Sequence, residues 1–308
     1  MPVPRDISVV IPYYNRERFI DEAVQSVFAQ TLQPLEVILV NDCSQESSRR
    51  YLDRYADTCR ILDLPVNVGL AGSRNAGIQA ARGKFIAFLD DDDLWLPRKL
   101  ELQREYMEEH PDCAIVHTAA WFFYVGEPDI LFKNFDDSPM TLAQSLTNDY
   151  WAIIPTSLAR SEAIRAISGF DINFRQCEDR DFIIRCCAAG YRVEGIPEGL
   201  ARVRRQKQDG LTKSHWRMFR TDLRMCWKHK AHYLRAYGVR GIINFILEKI
   251  QIVIQALPWR GCRAWRYRTI KYKLKSNYRD PVLFAQSQQT FAPQFPADGG
   301  HLAGGGSL

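Results

Sequence analysis

Lys84-Phe-Ile-Ala-Phe-Leu89-Asp90-Asp91-Asp92-Asp93-Leu94-Trp95-Leu96-Pro97 is an apolar run that ends abruptly in four consecutive carboxylates. The run reads as a buried strand, so the acids are delivered at its C-terminal end, where open α/β sheets bind ligands. Crowded carboxylates repel one another unless a cation or a set of donors compensates them. Oxygen-only donors suit a hard divalent ion, Mg2+ or Mn2+, which usually shares its coordination with phosphate oxygens. Taken alone, the four acids fit a solvated acidic loop as well as they fit a metal-diphosphate site.

Working outward, two more short apolar runs end in polar residues. Ile7-Ser-Val-Val-Ile11 leads into Pro12-Tyr13-Tyr14-Asn15 and then a segment with Phe19, Ile20, Ala23, Val24, Val27 and Phe28 on one helical face. Leu35-Glu-Val-Ile-Leu-Val40 ends in Asn41-Asp42-Cys43-Ser44 before another polar helix. Alternating strands and helices predict a parallel sheet with crossover helices. Tyr14, Asn15, Asp42 and the acidic cluster therefore meet at one sheet edge. Between them lies Asn67-Val-Gly69-Leu-Ala-Gly72-Ser-Arg74-Asn75-Ala-Gly77, whose glycines permit tight turns and whose arginine can pair with a phosphate or with carboxylates. The stretch is not GxGxxG, so no dinucleotide fingerprint is present.

The succession Ser-Val-Val-Ile-Pro-Tyr-Tyr-Asn, Val-Asn-Asp-Cys-Ser, Gly-Ser-Arg-Asn-Ala-Gly and Phe-Leu-Asp-Asp-Asp-Asp resembles the family 2 inverting glycosyltransferases of GT-A fold, over roughly residues 5 to 205. The resemblance implies an α/β, Rossmann-like and mostly parallel sheet flanked by helices. It implies transfer of a sugar from a nucleotide diphosphate donor, a UDP-sugar, to the hydroxyl of a glycan or lipid-linked acceptor, in polysaccharide or glycolipid synthesis. Pro12 and Tyr14 match the positions that frame and stack on the nucleobase, with Asn15 beside them on the donor side. Asp42 matches the base-reading acid and Arg74 the basic residue near the nucleotide. Asp90 and Asp92 match the DxD pair that meets metal and ribose, with Asp91 and Asp93 as second-choice ligands. An aromatic face suits a base, and a carboxylate can accept from a ring N–H.

Further along, Gly169-Phe170-Asp171 precedes Glu178-Asp179-Arg180-Asp181-Phe182, at the start of a helix closed by Gly190. Acids at a helix start complement its dipole without any catalytic duty. The resemblance implies more: Asp179 as catalytic base, Glu178 as the alternative, and Asp181 pointing elsewhere. The Tyr-Arg-x-His pattern common in the family is missing; Ala201-Arg-Val-Arg204-Arg205-Gln206-Lys207 stands there, so Arg204, Arg205 or Lys207 would face the diphosphate and a third metal ligand is left open. Other residues have structural readings. Tyr13 serves packing as readily as binding, Asp93 can cap the helix after Pro97, and Ser161 reads as an N-cap. His117, inside the β-prone run Cys113 to Tyr124, reads as a core histidine. Asp136-Asp137 reads as a loop near the acceptor side.

Charge divides the chain. Residues 1 to 200 hold 20 Lys and Arg against 31 Asp and Glu, whereas 201 to 280 hold 21 against 4. That predicts an acidic GT-A domain over 1–210, a basic amphipathic helical extension over 211–280 and a disordered tail over 281–308. The extension carries helical stretches at Trp216 to Tyr237 and Val239 to Leu257; Glu248, Lys249, Gln251 and Gln255 keep the second short of a spanning helix. With Trp259, Arg263, Trp265, Arg266 and Lys271 beyond it, the extension fits an anionic membrane surface. Packing on the catalytic domain or pairing in a homodimer are the alternatives, and nucleic acid ranks last because no recognised module is present. Eight cysteines without metal spacing predict reduced thiols, and the start at Met1-Pro-Val-Pro predicts no signal peptide. The expected location is cytoplasmic, peripheral on the inner face of the cell membrane. Two rival functions are a catalytically silent nucleotide-sugar-binding or membrane scaffold and a nucleotidyltransferase.

Overall fold

The computed structural model describes residues 4–124, 128–133, 138–147, 153–205 and 215–256. Strands β1 (Ile7–Tyr13), β2 (Glu36–Asn41), β3 (Arg60–Asp63) and β4 (Phe85–Phe88) lie side by side in the order β3-β2-β1-β4, every neighbouring pair parallel. Helices α1 (Glu17–Phe28), α2 (Glu46–Tyr51) and α3 (Gly69–Ala80) lie between successive strands. All seven residues of β1 are buried, which is why its sequence is a continuous apolar run rather than an alternation. Side chains still alternate between faces: Val9 and Ile11 join Ile20, Val24 and Leu100 in one core cluster, Val10 joins Ile38, Ile78 and Phe88 in another.

Beyond β4 the sheet becomes mixed. β8 (Leu158–Arg160) runs antiparallel to both β4 and β6 (Cys113–Phe123), and β9 (Arg192–Arg204) runs parallel to β6. β5 (Leu94–Trp95) pairs antiparallel with β9, and β7 (Ile130–Phe132) with β6. Helices α4 (Lys99–Glu109), α5 (Leu142–Leu146), α6 (Ser161–Ala166) and α7 (Glu178–Ala188) complete this part. His117 is fully buried in β6, and burial pushes its pKa down to about 3, so it is a neutral core residue.

Two local expectations change. The glycine-rich stretch is mostly helix α3, not turns, and within it only Gly69 has a positive φ, 76°. Gly77 serves contact instead: a β-carbon there would lie 2.2 Å from Val10 Cγ1, so only glycine lets α3 rest on β1. Ser161 does not cap α6; its hydroxyl donates to the Gly83 carbonyl at 2.6 Å.

Helices α8 (His215–Lys228) and α9 (Lys230–Ala256) follow. They part at His229, a break that the apolar periodicity does not imply; the break it does imply, between Tyr237 and Val239, appears as non-helical backbone at Gly238 (φ 64°) inside α9. His229 is drawn onto Asp181 of α7, a contact that periodicity does not register. One compact unit runs to Val253, and within it α8 and α9 pack against α5 and α7 through Leu146, Phe174, Ile184, Met225 and Tyr233, with Ile242 and Phe245 against them. No helix among the described residues is long and apolar enough to cross a membrane. Asp136, Asp137, Lys207 and the tail lie outside the described residues.

Candidate active site

The parallel order β2-β1-β4 brings the ends of these three strands to one edge, as read from the sequence. β1 ends at the buried Tyr13, whose hydroxyl meets Ser48 Oγ at 2.6 Å. The next residue, Tyr14, turns its side chain outward and is 48% exposed. Asn15 takes a positive φ (51°) and ties two loops together: its N–H donates to Ser44 Oγ at 3.2 Å and its Oδ1 accepts from the Gln45 N–H at 2.8 Å. Pro12 is buried within β1. Asp42, buried at the end of β2, accepts the Val68 and Gly69 N–H groups at 2.7 and 2.9 Å, fixing the loop that opens α3.

The four aspartates alternate. The Asp90 and Asp92 side chains are 27% and 17% exposed, whereas Asp91 is at 9%. Asp93 is buried and accepts the Arg204 N–H at 2.8 Å, so it locks β9 rather than capping α4, which starts at Lys99. Three arginines supply the compensating charge. Arg16 Nη1 donates to Asp91 Oδ1 at 3.1 Å and to Asp92 Oδ2 at 2.6 Å. Arg204 Nε donates to the Asp92 carbonyl at 2.9 Å and its Nη2 to Glu22 at 2.6 Å, with the guanidinium over Phe19 and Phe123. Arg74, 2% exposed, donates through Nη2 to Asp90 at 2.7 Å and through Nη1 to Glu178 at 2.9 Å. Arg74 is thus the bridge between the two acidic motifs, with the Phe170 ring beneath it.

Burial dominates the electrostatics. It pushes the Asp91 carboxyl up to about 7 despite Arg16, and it raises Asp92 and Asp93 as well, with neighbouring carboxylates adding to the effect. Glu178 and Asp179 are raised for the same first reason; Arg74 opposes the rise on both, and the Arg180 N–H bond at 2.7 Å opposes it on Asp179. Asp181 does point elsewhere, into the protein, where it pairs with Arg185, Lys228 and His229.

Among the described residues no group of three or more His, Cys, Asp or Glu could hold a metal ion. The accessible pair Asp90 and Asp92 nevertheless fits an ion shared with a diphosphate, because Mg2+ commonly takes one or two carboxylates and completes its octahedron with waters and phosphate oxygens. Arg16 and the two-sided bridging of Arg74 were not read from the sequence. The need for countercharge was the available signal, since the loop after β1 that carries Tyr14 also carries Arg16 to the same edge.

A family model described as Glycosyl transferase family 2 matches residues 8–200. TuaG of Bacillus subtilis, whose name provisionally places it in teichuronic acid biosynthesis, is 38% identical over 203 residues, covering 64% of this chain and 78% of that protein. An Escherichia coli protein named UDP-Glc:alpha-D-GlcNAc-diphosphoundecaprenol beta-1,3-glucosyltransferase WfgD is 36% identical over 102 residues, 33% of this chain and 40% of its own. The crystal structure of Staphylococcus aureus TarS 1-349 in complex with UDP-GlcNAc aligns with a TM-score of 0.60 at 19% identity, over 80% of this chain and 70% of that one. Against the longer TarS structure, this chain spans 43% of the length. The structural likeness establishes the GT-A fold.

Proposed function

The chain belongs to glycosyl transferase family 2, and from that membership we propose that it is an inverting enzyme that moves a sugar from a UDP-sugar to the hydroxyl of a glycan or lipid-linked acceptor. The observation that carries this reading is Arg74, buried between Asp90 and Glu178, which makes the donor-side acids and the start of α7 a single site. Tyr14 offers an exposed ring for a base, and Asp42, though it already accepts two backbone N–H groups, keeps lone pairs for a ring N–H. TarS was crystallised with UDP-GlcNAc, and WfgD is named for a UDP-glucose donor and a diphosphoundecaprenol-linked acceptor; both are in keeping with a UDP-sugar and a lipid-linked acceptor here.

In this reading Asp179 removes the acceptor proton as the hydroxyl attacks the anomeric carbon in a single displacement. A carboxylate whose pKa is raised by removal from water is a better base at neutral pH than an exposed one. Asp92, with Asp90, would hold Mg2+ or Mn2+, which when bound neutralises charge on the departing diphosphate. Arg204, which donates to the Asp92 carbonyl, and Arg205, next to it in the chain, would add positive charge near the acidic cluster.

We place the enzyme on the cytoplasmic, inner face of the cell membrane. Support comes from α9, whose Val239, Ile243, Leu247 and Ile250 are all exposed at helical spacing, from the excess of cations after residue 200, and from the seven free cysteines among the described residues. A homodimer through the same stripe is the competing use of that face.

The test is incubation of the full chain with a panel of nucleotide sugars, with and without Mn2+, following release of the nucleoside diphosphate. Slow release from one UDP-sugar that is lost in Asp179→Asn supports the transferase reading. Binding without release for every sugar would leave the scaffold, and release of pyrophosphate from a nucleoside triphosphate and a sugar phosphate would mean a nucleotidyltransferase.

A further inference from the structure

The first turn of α7 has two sides. At about 100° per residue, Glu178 and Asp179 occupy one side of that turn, while Cys177, Arg180 and Asp181 occupy the other. The first side meets Arg74. The second is gripped by α8 and α9. Arg180 donates through Nη1 to Asp222 at 2.9 Å and through Nη2 to the Tyr233 hydroxyl at 2.9 Å, and that hydroxyl donates to the Leu146 carbonyl at 2.7 Å. Asp181, wholly buried, meets His229 Nε2 at 2.8 Å and Lys228 Nζ at 2.6 Å. Asp222 and His229 are each 5% exposed, so these bonds are shielded from solvent.

Apart from this grip, the start of α7 is held by the Arg74–Glu178 pair and by the buried Phe182 stacked on Phe170. Cys177, at the N-cap position, lies in the left-handed region (φ 59°) and offers no side-chain cap. A helix start without a cap frays unless tertiary contacts hold it. We propose that Asp222, His229 and Tyr233 are positioning residues for the α7 carboxylates: they clamp Arg180 and Asp181 and thereby aim Glu178 and Asp179 into the site. Helices α8 and α9 are then a working part of the transferase rather than an accessory. The proposal rests on the reading of Asp179 as the base.

Donor-side residues directly follow β1, β2 and β4, with Arg74 on α3, so loosening the clamp leaves their framework in place. Turnover falls and donor binding stays, because a misplacement on the order of 1 Å can cost about 100-fold in rate without unfolding anything. The experiment uses the full chain with Tyr233→Phe, His229→Ala and His229→Gln. It measures the Kd for UDP and the kcat for UDP release from the UDP-sugar that the panel selects. Tyr233→Phe and His229→Ala should lose roughly tenfold or more in kcat with the UDP Kd changed by less than about twofold. His229→Gln, which keeps an N–H donor toward Asp181, should recover most of the rate.

Unchanged kcat in either folded variant overturns the proposal. So does a loss of UDP affinity in step with kcat, which would mark the contacts as general scaffolding. If His229→Ala does not fold, Tyr233→Phe decides, since it deletes a single hydroxyl. Asp179→Asn is measured alongside: its failure to slow release overturns the base assignment, whereas its slowing without any effect of the clamp variants overturns the clamp.

Discussion

Among the four aspartates, chemistry is assigned by orientation rather than by type. Asp90 and Asp92 keep the more accessible side chains although each also pairs with an arginine, while Asp91 is buried against Arg16 and Asp93 is buried against the Arg204 backbone. Two substitutions should therefore behave differently. Asp92→Ala should weaken UDP binding in Mn2+ and abolish transfer, and transfer that persists in excess chelator would exclude a metal role. Asp93→Ala leaves a buried N–H without its acceptor and should lower unfolding stability by about 1–3 kcal/mol in urea titration. At the second motif, Asp179→Asn keeps size and removes basicity, so turnover should fall roughly 100-fold with UDP affinity kept. If UDP affinity collapsed as well, Asp179 would be a binding residue. Arg74 was legible as a cation near the acids; that it also reaches Glu178, 104 residues away, follows only from the packing of α3 against the Gly169–Asp171 loop, where Asn75 Oδ1 accepts the Phe170 N–H at 2.7 Å.

Between elements, the most consequential contact is α7 on α8. Burial alone would raise the Asp181 pKa, but bonds from His229, Lys228 and Arg185 outweigh it and hold the carboxyl at about 2. A carboxylate depressed in the folded state contributes stability above its unfolded pKa and loses it as pH falls toward the folded value. Here the window runs from about pH 4 down to about pH 2, and a shift of this size corresponds to about 2 kcal/mol. Urea midpoints of the wild type and Asp181→Asn should differ most above pH 4 and converge toward pH 2; a difference that does not depend on pH would dissociate Asp181 from acid sensitivity. Helix α3 makes the opposite kind of contact, an apolar one with no spare room. Gly77→Ala would drive a methyl into Val10 and should cost about 1–3 kcal/mol, read from thermal unfolding.

For the whole molecule, charge and apolar surface are arranged unequally. The exposed stripe on α9 and the exposed Trp227 ring lie in the part of the chain where Lys and Arg outnumber Asp and Glu. Each cation near an anionic bilayer contributes about 1 kcal/mol, an attraction that salt screens. Cosedimentation with vesicles should therefore require anionic lipid and weaken as salt rises. It should fall when Ile243 and Leu247 are changed to Ser, while UDP release in solution persists. Equal absence of binding to neutral and anionic vesicles would turn the stripe toward dimer contact, to be checked by mass in solution.

The sequence by itself determined the catalytic half of the fold. Strand runs ending in Tyr14, Asp42 and Asp90 to Asp93 are a local pattern, and parallel βαβ chirality leaves little freedom in where their ends meet. It also exposed the uneven charge and the acids that open α7, because composition and helix-start chemistry are written residue by residue. Tertiary structure alone decided which aspartates face outward, since that depends on where Arg16 and Arg204 land from 75 residues before and more than 100 after. It alone joined Glu178 to Arg74, and it alone turned α8 and α9 from a separate appendage into elements packed on α7. Those pairings are set by side-chain packing and buried charge between distant segments, and neither periodicity nor local propensity carries information about partners so far apart in the chain.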